Sequence, residues 1–179
     1  MGGATKNMAK SNKFTSVKTC GAEPRPYSRQ NPVLLNTFQR YTYNSEYSPE
    51  KGYSLSVKVI EVVRGEQAYK DLLEQNKYYD EPESGYEYLN AKIGVSFLET
   101  NSDFSVTPNE YDFSTYTSNN EECPRSPYTL EPYLHKSIYA GGNSEGWITV
   151  LVKKGDERPK MAYKLNYDGT GGIWFAQYK

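Results

Sequence analysis

One histidine in 179 residues, His135, narrows the chemistry open to this chain. A Ser-His-Asp or Cys-His relay would depend on it alone, since the imidazole is the base such relays use near neutral pH. Cys123 is separated from it by a proline-rich stretch, and no G-x-S-x-G nucleophile turn is present. The residue reads as a lone surface histidine. Asp168-Gly169-Thr170-Gly171-Gly172 has the glycine content of a phosphate or calcium loop. It lacks the Lys-Ser/Thr of a P-loop and the spaced acids of an EF-hand, so a turn between two strands explains it better. Asp80, Glu81 and Glu83, and the pair Glu121-Glu122, are hard oxygen donors of the kind that hold Ca²⁺. Paired carboxylates would also suit glycoside hydrolysis if they faced one another across a cleft. Solvated loop charge accounts for them without either role. The expectation is a non-enzyme with no catalytic residues, no metal site and no cofactor.

Tyrosine is the residue type left over. There are 18, against 6 Phe and 2 Trp. Most are accounted for by strand propensity and by a ring that can be buried with its hydroxyl wet. The region 107 to 128 combines Tyr111, Tyr116 and Tyr128 with Ser, Asn and Pro, a composition that gives adaptable contact area at modest entropic cost. These three tyrosines are the candidate ligand- or partner-binding residues. A row of exposed rings on one sheet would instead favour a module that stacks on carbohydrate or cell-wall polymer.

The elements that must position these residues read as strands. Apolar residues make up 36% of the chain and the mean hydropathy is -0.83, as expected where half of each strand faces water. The length suits one domain plus a tail and buries about two-thirds of the unfolded surface. Residues 1 to 32 hold no period of 2 or 3.6 and read as a polar N-terminal arm or linker; residues 33 to 179 read as the folded domain. Within that domain the pattern predicts strands over 37–43, 53–63, 86–99, 111–117, 147–153, 161–165 and 173–178, with a weaker stretch over 134–139. A register shift at Val59-Ile60 predicts a bulge or edge. Tyr69, Leu72 and Leu73 place one narrow apolar stripe on a helix from about Glu66 to Gln75, which should cap an end of the sandwich. Gly85 and Gly146 are expected in tight turns entering strands, and Trp147 and Trp174 as core anchors. Seven or eight short strands spaced by turns favour a mainly β, two-sheet sandwich with one short helix.

The charge balance of 21 basic to 22 acidic residues gives no net field for nucleic acid or an anionic membrane. The longest apolar run, Ile148 to Val152, is far too short to span a bilayer. Met1-Gly2-Gly3 reads as an expression start on a truncated chain, so a leader is not legible from it. Cys20 and Cys123 do not form a C-x-x-C pair. A disulfide between them would close a loop of roughly 100 residues and add about 4 to 5 kcal/mol by the chain-entropy model. Two unrelated thiols are equally compatible with the sequence.

The order of landmarks resembles a known family. An Arg-Gly-Glu-x-Ala helix start at Arg64, Gly-Tyr-Glu-Tyr-Leu from Gly85, a Glu-Gly-Trp-Ile-Thr-Val strand from Glu145 and the terminal Trp174-Phe175 are similar to the DUF4352-type immunoglobulin-like domain of Gram-positive lipoproteins and secreted proteins. The resemblance covers residues 53 to 178. It implies an immunoglobulin-like fold and a bacterial extracytoplasmic location, with membrane contact only through a lipid anchor that this chain does not carry. Its partners would be proteins or cell-wall polymers, and no functional residues carry over. Neither Trp lies between the two cysteines, a departure from a true immunoglobulin domain.

Overall fold

The computed structural model describes residues 27–44, 47 and 51–178. Its strands are β1 (Gln39–Tyr43), β2 (Tyr53–Arg64), β3 (Tyr86–Thr100), β4 (Phe113–Tyr116), β5 (Asn143–Lys153), β6 (Lys160–Leu165) and β7 (Gly171–Ala176), with one α-helix, α1 (Glu66–Gln75). A four-stranded sheet in the order β1-β2-β3-β5 faces a three-stranded sheet in the order β4-β6-β7, and every strand pair is antiparallel. The fold is a mainly β, two-sheet sandwich with one short helix, the architecture that immunoglobulin domains also have. The four-plus-three count is that of a constant-type domain, but β2 and β3 are neighbours here, whereas the third strand of that domain crosses to the opposite sheet.

Alternation in the long strands builds the core. Leu55, Val57 and Val59 of β2 and Leu89, Ala91, Ile93, Val95 and Phe97 of β3 all face the opposing sheet, where Phe113, Met161, Tyr163, Ile173 and Phe175 meet them. The β2–β3 register slips between Val59 and Glu61, so the predicted bulge is present and leaves Ile60 unpaired. Beyond it the outward face is covered too. Tyr88 and Leu151, paired across β3 and β5, form a second core with Ala68 and Leu72 of α1. The helix therefore lies on the outer face of the four-stranded sheet and does not cap an end of the sandwich. Its stripe is narrow because it meets only a few residues, and this second core is what makes both faces of β5 apolar.

Asn90 fixes the junction of the two cores. It is fully buried; its amide donates to the Ala68 carbonyl at 3.0 Å and its carbonyl accepts from Thr149 Oγ1 at 2.8 Å. Thr149 Oγ1 in turn accepts from the Leu130 amide at 3.1 Å. One buried cluster thus ties helix, sheet and the segment before β5 together.

The two tryptophans expected as core anchors differ in burial. Trp147 shares the outward face of β5 with Thr149 and Leu151 and is only half-buried. Trp174 is 8% exposed but points away from Ile173 and Phe175, with the Tyr116 ring 5.0 Å from it. Gly85 does sit in a turn, at φ 88. Gly146 does not: it lies inside β5, and a Cβ there would stand 2.6 Å from the Leu134 amide nitrogen and 2.6 Å from the Tyr133 carbonyl carbon. Its lack of a side chain lets another backbone press against the strand.

The chain from Tyr27 to Val33 runs along β7. Trp174 N–H donates to the Tyr27 carbonyl at 3.1 Å, Val33 N–H to the Trp174 carbonyl at 2.7 Å, and Ala176 N–H to the Val33 carbonyl at 2.8 Å. The remainder of the predicted arm, residues 1–26 with Cys20, lies outside the described residues. Among the described residues no helix is long and apolar enough to cross a membrane.

Candidate functional site

Two irregular segments flank β4 and assemble a cleft at the open side of the sandwich, between the edges of β4 and β5. Cys123 N–H donates to the Thr115 carbonyl at 2.8 Å and Thr117 N–H to the Glu121 carbonyl at 2.8 Å, so residues 121–123 run along the free edge of β4. Arg125 bridges to Val150 and Tyr133 to Trp147, so the same segment continues along the free edge of β5. Asp156 anchors its tip by accepting from the Ser118 amide at 2.7 Å. Burial acts to raise the Asp156 carboxyl, but the Ser118 and Arg158 amides outweigh it and hold it below its ordinary range.

The cleft has a volume of about 170 Å³, and its lining includes Tyr111, Thr115, Cys123, Arg125 and Val150. Thr115 forms its inner end; the residue is 4% exposed and its hydroxyl has no hydrogen-bond partner among the described residues. Cys123 is 6% exposed. Burial pushes its thiol up, and the amide hydrogen bond from Lys153 only partly offsets that, so the sulfur is held as the unreactive thiol. Glu110, Glu122 and Arg125 supply the charge at the mouth.

The three predicted contact tyrosines occupy different surroundings. Tyr111 is 73% exposed on the cleft wall, 5.7 Å from the Arg125 guanidinium, in a single 3-10 turn. Asn109 caps that turn by accepting from the Tyr111 amide at 2.9 Å. Tyr116 is half-buried on the outer face of β4 against Trp174, and burial followed by the nearby Glu122 charge raises its hydroxyl. Tyr128 stacks on Tyr79 with centroids 4.1 Å apart and planes 16° apart, and donates to Asp80 Oδ2 at 2.8 Å. Tyr111 alone of the three lines the cleft; Tyr128 binds the acidic loop to the rest of the protein.

The remaining candidates are dispersed. Cys123 has no disulfide partner among the described residues, and its predicted partner Cys20 lies outside them. His135 is exposed, with the Tyr133 ring 6.0 Å away. Asp168 accepts from the Thr170 amide at 2.9 Å and from its hydroxyl at 2.6 Å, which closes the β6–β7 turn on itself. The Thr170 hydroxyl holds the Asp168 carboxyl below its usual range. Glu81 and Glu83 line a separate, open cavity with Glu66, Glu87 and Tyr69. Among the described residues no three His, Cys, Asp or Glu side chains converge as a metal site would require.

Arg125 and Thr115 were not legible as site residues, because nothing local distinguishes them. The signal for the segment that carries Arg125 was Gly146, whose neighbour Trp147 marked it only as the start of a strand.

No family model matches the chain, and no curated protein matches it. Two solved structures are similar in fold. One is a candidate lipoprotein from Bacillus subtilis, ycdA, at 17% identity and a TM-score of 0.47, covering 75% of this chain and 37% of that one. The other is MPT63, a secreted protein from Mycobacterium tuberculosis, at 16% identity and a TM-score of 0.45, covering 77% of this chain and 92% of that one. This chain therefore spans well under half of the Bacillus protein and most of the mycobacterial one.

Proposed function

We propose that this protein is a non-catalytic interaction module that works outside the cytoplasm, and that it meets a protein or cell-wall polymer through the cleft beside β4. The observation that carries the reading is where the cleft comes from. All its lining residues except Thr129, Thr149 and Val150 belong to the 107–128 region that composition marked as a contact surface. Backbone hydrogen bonds fix that region to two sheet edges, so a partner meets a preorganised surface and little ordering entropy opposes binding. Tyr111 supplies an exposed ring, Arg125 a directional cation, and Thr115 an unsatisfied hydroxyl at the inner end.

The carbohydrate-stacking alternative gains nothing from the arrangement of rings. Of the exposed tyrosines, 27, 43, 47, 78, 111, 133, 139 and 167, only Tyr43 lies in a strand, so the described residues present no row of rings on one sheet.

Incorporating the photo-crosslinker benzoylphenylalanine at position 111 in the source cell tests the contact surface, with the still more exposed position 167 as control. A partner captured from 111, lost on Arg125→Ala and not captured from 167, is the expected result. Equal capture from both positions would remove the cleft assignment. The location rests on the family resemblance and is tested separately, by cell fractionation and the mass of the native N-terminus. An unprocessed cytosolic form would overturn it.

A further inference from the structure

A further cavity, of about 230 Å³, opens at the side of the sandwich where β2 and β6 meet the 104–108 segment. Tyr53, Leu55, Phe104, Val106 and Pro108 give it apolar walls. Tyr163 lines its inner end, fully buried, and the Tyr163 hydroxyl has no hydrogen-bond partner among the described residues. Val106 is held in place by a reciprocal pair of 2.9 Å backbone bonds with Ile138, so the outer wall is built and not a loose loop.

A buried hydroxyl without a partner is costly, on the order of 1–3 kcal/mol, and in native proteins such a group usually has an occupant to explain it. The neighbouring polar groups are already engaged. Asp112 Oδ1 pairs with Lys164 Nζ at 2.7 Å, and Asp112 Oδ2 accepts from the Asn109 amide at 3.3 Å. Burial and then the Asp112 charge push the Tyr163 hydroxyl far up, so it keeps its proton, and that O–H donor needs an acceptor. The Asp112–Lys164 pair is internally neutral and leaves no charge for a ligand to match. An apolar cavity of roughly 150 Å³ accepts a benzene-sized molecule, so this one has room for slightly more.

We propose that this cavity is a binding site for a small neutral molecule with an apolar body and one hydrogen-bond acceptor, which takes the bond from the Tyr163 hydroxyl. Phe104 and Tyr53 are only partly buried and are the rings that shift to admit it. The site is separate from the cleft beside β4 and does not depend on the reading given to that cleft.

Two probes of nearly equal shape test it: acetophenone, which carries a carbonyl acceptor, and α-methylstyrene, in which a methylene replaces that oxygen. Each is titrated into the full chain and followed by NMR at Phe104, Val106 and Tyr163. Acetophenone is expected to bind about tenfold more tightly, the difference one buried hydrogen bond makes. In Tyr163→Phe the two probes bind alike, and the melting temperature does not fall because the hydroxyl removed had no partner. Val106→Trp, which fills the cavity, abolishes both signals while leaving acetophenone's absence from the Tyr111 resonance unchanged. Equal affinity of the two probes for the unaltered protein would overturn the proposal. So would the absence of saturable shifts at Val106, which would leave water as the hydroxyl's only partner.

Discussion

Replacing Gly146 by alanine should loosen the segment that packs along the free edge of β5, and the size of the effect follows from the contacts. The added Cβ would meet the Leu134 nitrogen and Tyr133 carbonyl carbon at 2.6 Å and the Tyr133 oxygen at 2.7 Å, all backbone atoms of a segment packed on β5. No rotamer relieves such a clash, so residues 132–134 must move away. That motion breaks the bonds from the Leu134 amide to the Trp147 carbonyl, 2.9 Å, and from the Trp147 amide to the Pro132 carbonyl, 2.8 Å. Each contributes about 1 kcal/mol. It also draws Leu134, now fully buried, partly out of the core, where complete burial of a leucine is worth about 2–3 kcal/mol. The reduced entropy of the unfolded alanine chain returns about 0.5–1 kcal/mol. The net loss is roughly 3 kcal/mol.

Urea unfolding measures that loss, and amide hydrogen exchange locates it. Protection at Leu134 and Trp147 should fall well before protection in β2 and β3. Gly155→Ala is the control: it has φ 79 but nothing within 4 Å of the new Cβ, so it carries backbone strain alone, about 1 kcal/mol. Equal costs at the two positions, or full protection of the Leu134 amide in Gly146→Ala, would refute the steric argument.

Asn90→Leu should cost about 1–3 kcal/mol in urea midpoint terms, because the buried Thr149 hydroxyl loses its acceptor and the Ala68 carbonyl loses the bond from the Asn90 amide. Adding Thr149→Val should cost less on this background than alone, since the hydroxyl has already lost Asn90 and only its bond from the Leu130 amide is left to lose; strict additivity of the two would show that the cluster is not coupled. At alkaline pH the protein should lose stability from about pH 10 upward. Burial lifts the Tyr88 hydroxyl to about 12 and the Tyr163 hydroxyl further, so the folded state holds protons that the unfolded chain, titrating at 10.0, releases. Stability is complete below pH 10 and declines between there and the folded-state values by up to about 1.4 kcal/mol per pH unit for each group. A flat profile between pH 9.5 and 11.5 would contradict the burial of both. Cys123 in the folded protein should react with iodoacetamide far more slowly than a free thiol at pH 8.5, and fast labelling without denaturant would show that the cleft opens.

Period-2 alternation made β2, β3, β6 and the bulge at Ile60 legible, because one face of each meets the opposing sheet. It misled at Trp147, where size suggested a core anchor, yet parity with Thr149 and Leu151 puts the ring on the outer face. The 111–117 alternation was read one turn too far: Asn109 and Asp112 cap a 3-10 turn over Glu110–Asp112, so the strand begins at Phe113. The stretch 134–139 looks like a weak strand because Leu134 and Ile138 enter the core, but each bonds to a different neighbour, Trp147 and Val106, and no ladder forms. The tyrosines of the candidate surface separated for the same reason. Composition could mark the 107–128 region, but which ring stacks on Tyr79, which on Trp174 and which stays exposed depends on partners far away in sequence.

Those distant partnerships also explain why the candidate surface sits where it does. A sandwich of two open sheets has four edge strands, each with unpaired amides and carbonyls that invite aggregation. Here β7 is covered by Tyr27–Val33, β4 by residues 121–123, and β5 by Arg125 and residues 132–134. Two of these three covers come from the single irregular stretch between β4 and β5. Because β4 and β5 belong to opposite sheets, a chain that covers both edges must cross the gap between them, and the cleft is the space it leaves at the crossing. Arg125 stands at that crossing, held by its bridge to Val150, and Tyr111 faces it from the turn that Asn109 caps. The same backbone pairing that covers the edges of β4 and β5 thus holds the most irregular stretch of the sandwich in place beside the cleft, as the proposed contact surface requires.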